Sequence, residues 1–228
     1  MKKRTLILIH LSVISVLFLM LAAGCKKSND EPSVIKDGDG NVYTSVKIGT
    51  QTWLAKDLKT TKLNDGTPIP LVTDNTEWTN LTTPGYCWYG NDEAANKNVY
   101  GGLYNWYTVN TGKLCPRGWH VPSNDEATVL NIFIDGEGGK LKETGTVHWR
   151  APNTGATDQY GFTALPGGYR GPTGIFADIK SYGGWWTTTE RSQLNTVYIC
   201  ILPYDVSGFS TGAEVKKNSG YSVRCIKD

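Results

Sequence analysis

Asn41-Val42-Tyr43-Thr44-Ser45-Val46-Lys47-Ile48 alternates in period two, and Gly49-Thr50-Gln51 turns it back into Thr52-Trp53-Leu54. Alternation, a glycine turn and a second apolar run predict a β-hairpin. Further along, Ser123-Asn124-Asp125-Glu126 follows Pro122. The serine and the glutamate three places on form a capping box, and Ala127, Leu130 and Ile134 continue it as an apolar stripe widened by Val129 and Phe133. Gly136 stops this helix. A second short helix is expected over Tyr100–Tyr107, where Leu103, Trp106 and Tyr107 share a face. Glycine-rich turns then separate short strands at Trp185–Thr188, Val197–Leu202 and Tyr221–Ile226. Two short helices among many short strands predict an α+β fold with small mixed or antiparallel sheets and long glycine- and aromatic-rich loops.

The chain has 228 residues, of which 19% are charged and 39% hydrophobic. The charged fraction lies below the ~25% usual in globular domains, which excludes a long disordered tail or a charged coiled coil. The 26 Gly and 10 Pro favour turns over long helices. No solenoid repeat or linker interrupts the chain beyond Val34, so residues 38–228 read as one domain. Most of the 8 Trp, 12 Tyr and 5 Phe belong in its core.

Lys2, Lys3 and Arg4, an apolar run from Leu6 to Ala23, then Gly24 and Cys25 form an export signal over residues 1–24. The run is almost long enough for a membrane-spanning helix, but His10, Ser12 and Ser15 interrupt it. Leu21-Ala22-Ala23-Gly24-Cys25 resembles a bacterial lipoprotein signal, with Ala22 where the usual leucine stands. The resemblance implies lipidation at Cys25, a polar tether over residues 25–37, and anchoring in the outer membrane, facing the surface or the periplasm. The leader carries three basic and no acidic residues, so it accounts for the net charge of +2. No basic patch remains for nucleic acid. With Cys25 lipidated, Cys87, Cys115, Cys200 and Cys225 are left for two disulfides, with three possible connectivities.

Catalytic and metal chemistry find little support. His120 and His148 each stand beside a tryptophan and read as hydrogen-bonded structural histidines; no Gly-x-Ser-x-Gly elbow accompanies them. The cysteines are too far apart for a zinc knuckle, and no metal site is expected. Asp37-Gly38-Asp39-Gly40-Asn41 resembles the first half of a calcium loop, but Ile48 stands where its last acidic ligand belongs. The stretch therefore reads as a turn, and calcium is the one cofactor at which the sequence hints. Asp92-Glu93 is the kind of acidic pair a glycosidase uses, without a partner the sequence can place. Tyr169, Arg170, Asp178, Trp185, Trp186 and Glu190 cluster in glycine-rich surroundings and are the ligand-binding candidates. The competing reading buries the tryptophan pair in the core.

A series of ordered motifs resembles one family. They include Asp39-Gly40-Asn41-Val42-Tyr43, the Val46–Leu54 hairpin, Tyr86-Cys87-Trp88-Tyr89, Gly102-Leu103-Tyr104-Asn105-Trp106 and Leu114-Cys115-Pro116-Arg117-Gly118-Trp119-His120-Val121-Pro122. Gly161–Arg170, Trp186–Glu190 and Ser222-Val223-Arg224-Cys225 complete the series. Together they resemble the FISUMP family, the "major paralogous domain" of bacterial surface lipoproteins, from about Gly38 to Asp228. The resemblance implies a C-type-lectin-like fold related to formylglycine-generating enzymes, with paired terminal strands and a ligand-bearing loop region over about residues 165–195. Those enzymes use two cysteines with four residues between them; Cys225 matches the second, but Gly220 stands at the first. The resemblance instead suggests a Cys115–Cys225 disulfide, leaving Cys87–Cys200 by subtraction. The function expected is a non-catalytic binding or adhesion module for a glycan or surface protein. A redox or modifying enzyme and a structural envelope component are the alternatives.

Overall fold

Asp37 organises the first turn. Its Oδ1 accepts the backbone N–H groups of Asp39 and Asn41 at 3.0 and 2.9 Å, and its Oδ2 accepts the Asn41 amide and the Tyr43 hydroxyl. Strand β1 (Ile35–Lys36) thereby folds back on β2 (Val42–Tyr43). The Asp-Gly repeat is a turn whose first carboxylate is occupied by its own loop. Among the described residues, strand structure begins at Ile35, within the segment 25–37 expected as a tether. The computed structural model describes residues 34–228; the expected leader 1–24, Cys25 and the tether to residue 33 lie outside the described residues.

The hairpin read from the sequence is β3 (Ser45–Ile48) and β4 (Gln51–Leu54), in register from Ser45 opposite Leu54 to Ile48 opposite Gln51. Helix α1 (Asn75–Thr79) is capped by Asp74, and β5 (Tyr86–Cys87) follows. Helix α2 (Glu93–Tyr100) is capped by Asp92, whose side chain accepts the Ala95 N–H; the acidic pair is thus a helix start. Gly101, at φ 76° and ψ −163°, ends α2 in backbone space that only glycine occupies readily. The helix expected across Tyr100–Tyr107 is therefore replaced by β6 (Leu103–Tyr104), paired with β5, and the short α3 (Trp106–Val109). After β7 (Trp119–His120), α4 (Asn124–Phe133) starts with both halves of the Ser123–Glu126 capping box in place. Four α-helices, not two, stand among the described residues.

The remaining strands are β8 (Tyr169–Arg170), β9 (Phe176–Ala177), β10 (Tyr182–Arg191), β11 (Thr196–Pro203), β12 (Ser210–Lys216) and β13 (Ile226–Lys227). A three-stranded antiparallel sheet runs β10-β11-β12, and a four-stranded one runs β3-β4-β13-β7. The architecture is α+β with small antiparallel sheets. The loop region expected over 165–195 contains β8, β9 and the ten-residue strand β10.

Cys115 and Cys225 form a disulfide, as the motifs implied. Cys87 and Cys200 do not: both are free and buried. Cys87 packs with Val72, Trp78 and Leu103, whereas Cys200 sits on β11 opposite Trp185. Burial pushes both thiols up to about 12. The aromatic residues close the core as well. Trp185 and Trp186 are 4% and 0% exposed, so the reading that buries the pair holds and their role as exposed ligand platforms does not.

Candidate functional site

A cleft of about 350 Å³ opens where the segment after β4, the end of α2 and the loops before β8 meet. Its floor is a buried ion pair. Arg224 Nε donates to Asp57 Oδ1 at 2.6 Å, and Trp185 Nε1 donates to the same oxygen at 2.8 Å. The Arg224 guanidinium also lies 4.3 Å from the Phe162 ring centre and donates to the carbonyls of Leu54 and Phe162. Burial pushes the Asp57 carboxyl up from its ordinary value, while the Arg224 guanidinium and the Trp185 indole pull it back. Gly101 keeps the end of α2 against this floor: a Cβ there would stand 2.4 Å from the Leu58 carbonyl and 3.3 Å from the Asp57 side chain.

Polar groups crowd the walls. His148 Nδ1 sits 2.8 and 3.0 Å from the two Glu143 carboxylate oxygens, and the ring meets Tyr100 edge-on. Lys59 Nζ donates to Asn98 Oδ1 at 2.9 Å, and Lys97 pairs with Glu93 at 2.7 Å, 5.2 Å above the Trp88 ring. Lys56 is exposed. Val42, Val99 and Leu165 add apolar surface. Thr163, the hydroxyl on the cleft wall, donates to Asp158 and so is turned to loop structure. The arrangement offers hydrogen bonds and charge to a small ligand. Among the described residues no three His, Cys, Asp or Glu side chains come together as a metal site.

The six residues singled out from the sequence are dispersed by the fold. Arg170 is fully buried, donating to the carbonyls of Val72, Thr73 and Gly174 and to Asn75 Oδ1, with its guanidinium between Trp78 and Phe176. It is a structural cation, which corrects its expected role as a ligand contact. Tyr169 stacks on Tyr221 at 5.4 Å and meets Tyr182 edge-on. Asp178 is exposed in the turn after β9, and Glu190 pairs with Lys217. Trp186 Nε1 is bound to the Tyr104 carbonyl. Of the six, only Trp185 reaches the cleft, from beneath, through Asp57. His120 is held between Asp228 and Glu126, a bonded structural histidine as expected.

Sequence reasoning missed the cleft because its lining comes from segments as distant as Val42 and Arg224. The faint local trace is Lys56-Asp57-Leu58-Lys59, where a single acidic residue stands between two lysines. No curated protein and no solved structure matches the chain. A family model does match residues 46–227, a span that includes the disulfide, the capped helix and nearly all of the cleft. The chain belongs to the Fibrobacter succinogenes major domain family (Fib_succ_major), the family its ordered motifs resemble.

Proposed function

We propose that this protein is an outer-membrane lipoprotein whose domain is a non-catalytic binding module on a C-type-lectin-like scaffold, with a glycan or surface protein as ligand. The observation that carries the reading is the open cleft built on the Asp57–Arg224 pair, where hydrogen-bonding groups surround the space. Such a concave site with a few fixed polar groups is the usual form of a ligand pocket. The lipoprotein part draws on the leader and Cys25. The thiol pair that the redox alternative calls for has Gly220 at its first position, and Cys225 at its second is tied to Cys115.

The test is an array of glycans and extracellular proteins probed with wild type and with Val99→Trp, which fills the cleft from the outside of α2. Binding by wild type that is lost in the variant supports the reading. Absence of any ligand, or binding indifferent to Val99→Trp, overturns it. For the anchor, a fatty-acid probe should label wild type and not Cys25→Ala; equal labelling overturns lipidation.

A further inference from the structure

We infer that the ligand of this cleft is an acidic saccharide, its carboxylate held by Lys56 and Lys59 and its hydroxyls by Asp57, Asn98 and His148; this rests on the binding-module reading above. The argument starts from which charges are already matched. Four cations, Lys56, Lys59, Lys97 and Arg224, line the cleft against two carboxylates, Asp57 and Glu143. Arg224 is neutralised by Asp57 at 2.6 Å and Lys97 by Glu93 at 2.7 Å. Glu143 is occupied by His148. Among the described residues Lys59 has only the neutral Asn98 amide as side-chain partner, and exposed Lys56 has no hydrogen-bond or ion-pair partner. Among the described residues two positive charges thus face the cleft without a counter-ion, and walls of low dielectric strengthen their pull on an anion.

Charge alone does not choose among anions; the other groups do. Asp57 Oδ1 takes both the Arg224 and the Trp185 donors, and Oδ2 takes none among the described residues. An ionised carboxylate only accepts, so this oxygen calls for a donor. Phosphate or sulfate would bring further acceptors against it and against Glu143. A uronic-acid unit carries both signs of complementarity: one carboxylate for the lysines and several hydroxyls that donate to Asp57 and exchange hydrogen bonds with Asn98 and the His148 Nε2. Val42, Val99 and Leu165 offer apolar surface to the C–H faces of the ring. The volume of about 350 Å³ suits a short saccharide better than a protein epitope.

The full-length protein is tested against immobilised uronic-acid oligosaccharides, their methyl esters, neutral oligosaccharides of the same length and an acidic peptide. The acid form should bind, and esterification should weaken binding about tenfold or more, the scale of a lost charge-assisted hydrogen bond. Lys56→Gln and Lys59→Gln should each reproduce a loss of that order, while Lys216→Gln, on β12 away from the cleft, should not. Thermal melting of each variant confirms that it is folded. Equal binding of acid, ester and neutral forms, all abolished by Val99→Trp, overturns the acidic-saccharide inference and leaves the cleft standing as a site. Preference for the acidic peptide, or acid binding that survives both lysine substitutions, also overturns it. If nothing binds, the inference and the binding-module reading fall together.

Discussion

Asp57→Ala leaves Arg224 as a charge that is 2% exposed, with two backbone carbonyls and the Phe162 ring but no anion. Removing one partner of a buried ion pair destabilises by about 3–5 kcal/mol, because the remaining charge stays desolvated and uncompensated. Trp185 Nε1 also loses its acceptor at 2.8 Å, a buried donor left unsatisfied at about 1–3 kcal/mol. The two losses share one carboxylate oxygen and do not add in full. About 4 kcal/mol is therefore expected, a large part of the 5–15 kcal/mol that stabilises a typical domain. For a domain of this size the melting temperature should fall by about 10 °C. Urea unfolding followed by tryptophan fluorescence measures the change. The double variant Asp57→Leu/Arg224→Met, which removes both charges and keeps the apolar volume, should recover most of the stability. A loss below about 1 kcal/mol in Asp57→Ala, or a double variant no better than the single, refutes the view that the carboxylate compensates a buried cation.

Four further outcomes follow from other parts of the molecule. Cys115→Ala/Cys225→Ala opens a closure of 110 residues and should lower stability by about 4–5 kcal/mol in the chain-entropy treatment; an unchanged urea midpoint would count against it. The Cys87 and Cys200 thiols should resist a thiol reagent in the native protein and react on unfolding, since burial holds both in the neutral form; rapid native labelling contradicts their placement. Gly101→Ala should cost about 3 kcal/mol, from its glycine-only backbone and the Leu58 carbonyl 2.4 Å from the new methyl, and should weaken any ligand held in the cleft. Burial alone would lower the His120 pKa, but the hydrogen bonds its ring donates to Asp228 and Glu126 outweigh it and the value is raised. The protonated imidazole therefore stabilises the fold fully below the ordinary value of about 6.5, and that contribution is lost as pH rises through the raised native value. The melting-temperature gap between wild type and His120→Gln should be widest near pH 6 and narrow above it; a gap that widens with pH reverses the sign.

The hairpin at 45–54 and the helix at 124–133 were legible because each is specified by its own residues: alternation and a glycine turn in one, a capping box and an apolar stripe in the other. The Tyr100–Tyr107 reading failed where a helical spacing ran across Gly101, whose positive φ breaks the helix whatever the apolar pattern suggests. The Trp185–Trp186 pair was harder. Glycines around it suggested an open loop, yet a Cβ at Gly183 would stand 2.5 Å from the Trp185 ring, and one at Gly184 2.7 Å from Tyr221. Those glycines make room for rings packed close against bare backbone, which is a packing signature that composition cannot separate from flexibility. Subtraction paired Cys87 with Cys200, although the fold places one beside Trp78 and the other on β11. The cleft escaped notice for the same reason: no local spacing relates Lys59 to His148 or Asp57 to Arg224.

Strand β13 lies between β4 and β7, so residues made long after both neighbours occupy the interior of the four-stranded sheet. Until Ile226 arrives opposite Trp53 and His120, β4 and β7 have open edges and Cys115 lacks its partner. Arg224, two residues earlier, brings the cation of the cleft floor in the same event. A chain released early therefore lacks the sheet's centre, the covalent staple and the binding floor together. The segment acts as a checkpoint: a product truncated before it keeps exposed strand edges that a protease or chaperone can read, and it cannot pass as a binding-competent copy.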